Sequence, residues 1–134
     1  MPNFFETSIS ASEANALTRK LIQRSIAVNN CCLWQARTDR QGYGILRLTY
    51  QGHIMSLKAH RLAFYLANDC QPFNVDLHVS HMCHTKKCIE VSHLSLEPAL
   101  INNRRKSCQL QGICCGHEGY HDCIFPHWYN IVFL

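Results

Sequence analysis

Ala14, Leu17, Leu21 and Ser25 recur at helical spacing, and this pattern predicts a helix over residues 9–27. Ser10 followed by Glu13 fits a capping box at its start, and Asn29 and Asn30 end it. Arg19, Lys20 and Arg24 fall mostly off the apolar stripe, as a solvated face or a phosphate-contacting one. From residue 32 to 58 the period changes to that of strands. Cys32 to Ala36, Ile45 to Tyr50 and His53 to Lys58 are three runs of strand formers, separated by Gln41-Gly42-Tyr43-Gly44 and by Gln51-Gly52, and predict a β-meander. Residues 59–67 predict a short helix with Leu62, Leu66 and Phe64 turned inward. A connection and short strand follow over 70–79, a loop from His81 to His93, and a helix from Pro98 to Arg105. The end, Phe125 to Leu134, is apolar enough to predict docking on its own domain or on a partner subunit.

At 134 residues the chain is expected to be one domain with a modest core, for which staples other than apolar burial are useful. Nine cysteines supply candidates. The start lacks a signal-peptide pattern and no apolar run reaches membrane-spanning length, so reduced, metal-bound thiols are expected rather than disulfides, with an intracellular location. The net charge of +4 is a mild bias toward polyanions, and any positive potential must come from local clusters.

Cysteines and histidines crowd the second half. Cys83, Cys88 and His93 are spaced as zinc ligands but lack a fourth. Cys32, which opens the sheet, is the expected fourth ligand, with Cys31, Cys70 and His84 as rivals. Cys108, Cys115, His117 and Cys123 make a second set, with Cys114 a rival to Cys115. Sites closed by four ligands have no open position and are structural.

Ser80-His81-Met82-Cys83-His84, Cys88, His93-Leu94, Asn102, Arg105-Lys106-Ser107-Cys108, Cys115-Gly116-His117 and Cys123 together resemble the His-Cys box homing endonucleases, within the ββα-metal or His-Me finger nucleases. Cys32-Leu33-Trp34, Gly42-Tyr43-Gly44 and Ala59-His60-Arg61-Leu62 are similar to HNH endonucleases of that superfamily. The resemblance implies a small α+β domain with an antiparallel sheet, a ββα-metal motif, few helices and two structural zinc ions. It further implies His81 as general base and Asn102 as ligand of one catalytic Mg²⁺ or similar ion, with Asn103 its rival. Arg61 and Arg47 are candidates for the cation at the scissile phosphate, and His121 is a rival to Cys123.

These roles suit phosphodiester hydrolysis. A neutral imidazole can take a proton from water, and a hard ion accepts an amide oxygen. The expected protein is therefore a metal-dependent endonuclease acting on double-stranded DNA, probing its target with the sheet through Arg37, Arg40, Arg47 and Lys58 and gripping phosphates with Arg104, Arg105 and Lys106. The family's form implies a homodimer, and a eukaryotic host would imply the nucleus. The rival readings are a zinc-dependent DNA-binding regulator without cleavage and a non-specific HNH-type nuclease.

Overall fold

A computed structural model describes residues 3–125 of the chain. The first helix, α1, covers Ala11–Gln23. Ser10 Oγ accepts from the Glu13 amide at 3.1 Å, and its hydroxyl donates to Glu13 Oε1, so the predicted cap is present. Leu17 and Leu21 face the core, each burial contributing about 1.5–3 kcal/mol. The helix stops short of residue 27. Ser25–Val28 instead forms strand β1, paired antiparallel with β2, Cys31–Trp34. Asn29 and Asn30 join them at φ 50° and 69°, the left-handed pair that a tight hairpin needs and asparagine tolerates.

The expected meander resolves differently as a result. β2 pairs backward onto β1, while β3 (Ile45–Tyr50) and β4 (His53–Lys58) form their own hairpin across Gln51 and Gly52. The hairpin's alternation puts Leu46 and Leu57 inward and leaves Arg47, Thr49, Ile54 and Ser56 exposed. Between the two hairpins, Gly44 lies flat against the Trp34 indole, and an added Cβ there would meet the ring at 2.5 Å.

Helix α2 spans Ala59–Ala67, as the pattern predicts. Leu62 and Tyr65 are fully buried, and Tyr65 donates its hydroxyl to the Thr7 carbonyl at 2.6 Å. A 3-10 turn at Phe4–Glu6 brings Phe4 and Phe5 onto Tyr65, Tyr50 and Phe73, with ring centroids 5.2–5.6 Å apart. One core therefore joins the N-terminus, α1, α2 and the β3–β4 hairpin.

β5 (His78–His81) pairs antiparallel with β6 (Leu94–Glu97), and helix α3 (Ala99–Gln111) follows directly. His81 thus ends a strand, whereas the sequence pattern predicts a loop start there. α3 runs past the predicted Arg105 to Gly112, whose φ of 74° closes it. Ile101, Arg105 and Cys108 form its buried face. The ββα order brings a long loop, 82–93, back between the two strands. Phe125 is buried, whereas the expectation for the rest of the apolar tail, 126–134, lies outside the described residues.

Candidate metal centres and active site

Two Cys₃His clusters pin the ββα unit. In the first, one ligand atom from each of Cys31, Cys83, Cys88 and His93 lies within 4.8 Å of the others, and all four residues are buried. Cys31 Sγ and Cys88 Sγ each sit 3.6 Å from His93 Nδ1. In the second, Cys108, Cys114 and Cys123 place Sγ at 3.6, 3.4 and 3.5 Å from His117 Nε2. Tetrahedral zinc with bonds of about 2.3 Å to sulfur and about 2.0 Å to nitrogen sets S···N edges of about 3.5 Å. Both clusters therefore have the donor set and the dimensions of structural zinc sites.

The thiols at the first site shift in opposite directions. Hydrogen bonding from Cys83 draws the Cys88 thiol down to about 5, while burial pushes Cys31 up to about 11.

Two expected ligands change. Cys31, not Cys32, completes the first cluster, because neighbouring strand residues point to opposite faces. Cys31 is buried facing the cluster, while Cys32 Sγ turns away to Ser25 Oγ at 3.3 Å. Cys114, not Cys115, completes the second. Cys115 is exposed, whereas Cys114 Sγ also accepts from the Cys123 amide at 3.3 Å. Cys70 packs in the main core, and His84 and His121 belong to neither cluster.

A cavity of about 650 Å³ opens beside the clusters, lined by His81, Asn102, His78, His60, Tyr43 and Lys58 among others. His81 Nε2 lies 3.0 Å from the carbonyl oxygen of Cys88. A carbonyl only accepts, so Nε2 carries the ring proton and Nδ1 keeps a free lone pair. The loop closed by the first cluster thus sets the tautomer of His81. The His60 ring lies 4.2 Å from the His81 ring and Tyr43 stacks at 5.8 Å. Desolvation pushes the His81 imidazole down to about 4, opposed by the Cys88 carbonyl, so it is neutral at physiological pH. Burial likewise drives His60 well below the ordinary histidine value.

Asn102 reaches the same cavity from α3. The Ser80 hydroxyl donates to its Oδ1 at 2.8 Å, and its Nδ2 approaches His78 Nδ1 at 3.1 Å. The neighbouring Asn103 is exposed and outside this cavity lining.

The expected cations separate into groups. Arg105, expected at a phosphate, is instead withdrawn from the surface: it is 2 % exposed and is bound bidentately to the buried Glu97 at 2.6 and 3.0 Å. Its remaining donors reach Cys123 Sγ at 3.4 Å and the His121 carbonyl at 2.8 Å. This guanidinium ties α3 to β6, and it would offset the net charge of about −1 that a zinc ion with three thiolates carries. Helical spacing makes the correction intelligible, since residue 105 shares a stripe with Ile101 and Cys108. Arg104 and Lys106 flank that stripe and are exposed. Arg61 lines the cavity, yet its guanidinium donates to the Leu77 carbonyl at 3.0 Å and lies over Phe5 and Phe73. Arg47 is exposed on the hairpin, outside the cavity lining. Arg37 and Arg40 are exposed in the segment between β2 and β3 rather than on a sheet. Lys58 ends β4 at the cavity, 2.8 Å from Asp39 Oδ2 and over the Tyr43 ring.

Sequence reasoning attaches no role to His60, Tyr43, His78 or Ser80. Ala59-His60-Arg61-Leu62, Gly42-Tyr43-Gly44 and the Ser80 that opens Ser80-His81-Met82-Cys83-His84 stand out within motifs, whereas nothing in the local pattern marks His78.

In class, this is a small α+β domain with a ββα unit and two candidate zinc sites set beside its apolar core. Residues 30–130 match a family described as the zinc-binding loop region of homing endonuclease, and the chain belongs to that family, the His-Cys box homing endonucleases. Membership gives it a nuclease-related function. No curated protein and no solved structure shows a significant match to the chain. Among the described residues no helix is long and apolar enough to cross a membrane.

Proposed function

We propose that the protein is a metal-dependent endonuclease that hydrolyses double-stranded DNA at a defined target, with His81 as general base. The observation that carries this reading is the state of His81. Its Nε2–H is committed to the Cys88 carbonyl, its ring is confined by His60 and Tyr43, and its Nδ1 is left to accept a proton from water. Negative charge from a bound phosphate raises the basicity of this desolvated imidazole. A hard divalent ion such as Mg²⁺ would be held by Asn102 Oδ1 together with DNA oxygens and water, and supplies positive charge at the phosphate and its leaving oxygen. The exposed face of the β3–β4 hairpin, with Arg47, Thr49 and Ser56, suits entry into a major groove, and its outer side ends at Lys58 on the cavity. Exposed Arg37, Arg40, Arg104 and Lys106 suit phosphate contact.

A near-palindromic target would be met by a homodimer, with the apolar tail as a contact between copies and, in a eukaryotic host, a nuclear location. Supercoiled plasmid tests the reading: Mg²⁺ supports cutting, EDTA stops it, and His81→Ala loses it. Equal cutting by wild type and His81→Ala would remove His81 from the mechanism. Discrete fragments from a large DNA support a defined target, and a smear supports non-specific cutting.

A further inference from the structure

The carboxamide of Asn102 is held at both ends by one strand. His78 and Ser80 stand two residues apart on β5, so they share a face, and both reach α3 at the same residue. Ser80, 2 % exposed, donates to Oδ1 at 2.8 Å, and His78 Nδ1 accepts from Nδ2 at 3.1 Å. Without these contacts an amide can turn over about its last torsion and present its NH₂ group, which cannot ligate a cation. A hydroxyl does not distinguish the two ends, because it can donate or accept. An imidazole nitrogen with a free lone pair does, because it takes only the NH₂. The amide oxygen has two lone pairs, so the Ser80 hydrogen bond leaves one for an ion.

We propose that His78 and Ser80 are positioning residues that turn the Asn102 oxygen toward the catalytic ion, His78 selecting the amide's orientation and Ser80 anchoring it. This inference rests on the reading of Asn102 as the ion's protein ligand. Replacing such an outer partner lowers metal affinity by about 10–100-fold in known sites. In plasmid cleavage, His78→Ala is therefore expected to raise the half-saturating Mg²⁺ concentration by about tenfold, with DNA retention in gel-shift experiments unchanged. Ser80→Ala is expected to act in the same direction. The double variant should do little more than either alone, since both act through one amide. His78→Gln, whose side-chain oxygen can accept from Nδ2, should return the midpoint toward wild type.

A second readout needs no metal. In ¹⁵N NMR of the ion-free protein, the Asn102 carboxamide protons should exchange with solvent faster in His78→Ala than in wild type. His78 is exposed, so this variant carries the test even if Ser80→Ala fails to fold. Asn102→Ala is run in parallel. If it raises the Mg²⁺ midpoint while His78→Ala leaves both midpoint and exchange unchanged, the positioning role is overturned and the ligand reading stands. If Asn102→Ala leaves the midpoint unchanged, both fall.

Discussion

Cys31 and Cys32 are adjacent in sequence, and the structure assigns them opposite consequences. Cys31 Sγ stands 3.6 Å from His93 Nδ1 in a closed, buried Cys₃His set. A structural zinc site contributes about 10–16 kcal/mol of apparent binding energy that is also folding energy. Net stabilities of natural domains are about 5–15 kcal/mol, so loss of one site removes most or all of it. Cys31→Ser is therefore expected to lose one zinc ion and to melt at or below room temperature. Cys32 Sγ donates one hydrogen bond, to Ser25 Oγ at 3.3 Å, and its side chain packs only partly buried against the main core. A weak thiol hydrogen bond of this kind is worth no more than about 1 kcal/mol, so Cys32→Ser should keep both zinc ions and shift Tm by only about 2–6 °C.

Native mass spectrometry counts the zinc, and circular dichroism on heating, with and without EDTA, reads the stability. The same contrast holds at the second site, where Cys114→Ser should lose a zinc ion and Cys115→Ser should be neutral. If Cys32→Ser lost zinc while Cys31→Ser kept both ions, the strand would be shifted by one residue. Such a slip exchanges the two faces. It is incompatible with the pairing of Val28 with Cys31 and Ala27 with Cys32 across β1 and β2.

Gly44→Ala should cost about 1–3 kcal/mol or more, because its Cβ would stand 2.5 Å from the Trp34 indole, which is itself buried and anchored to the Arg37 carbonyl; thermal melting checks this, and partial recovery in Gly44→Ala with Trp34→Phe would identify the indole as the obstacle. Lys58 holds the Asp39 carboxyl down to about 2 from its ordinary 3.8, so the pair stabilises the folded state above about pH 4 and that contribution is lost as pH falls toward 2. In Lys58→Met the Asp39 carboxyl should titrate back near its ordinary value by ¹³C NMR; an unchanged value would mean that the backbone amides of Gln41 and Tyr43 alone hold it.

Much of this molecule is legible in its sequence because its devices are local. The Ser10 cap, helix α2 and the Gln51-Gly52 turn depend on residues a few positions apart, and periodicity reads them. Two Cys₃His sets are also legible, since Cys83, Cys88 and His93 lie close together, as do Cys108, His117 and Cys123. What escapes such reading depends on pairing at a distance. Asn29-Asn30 can stop a helix or turn a hairpin, and only the pairing of β1 with β2 decides. That decision in turn selects Cys31 over Cys32, because facing is a property of the paired strand rather than of the dipeptide. Arg105 misleads for a related reason. A basic run at a helix end resembles a phosphate grip, whereas the buried Glu97 that claims the middle residue lies on β6 and is not revealed by charge pattern. Asn102 shows the limit most sharply: its candidacy comes from a family's spacing, while the groups that orient it, His78 and Ser80, lie 24 and 22 residues away. They come into place only because a two-residue strand period meets one position of a helix. A site of this kind exists at the meeting of two periodicities, so neither segment read alone contains it.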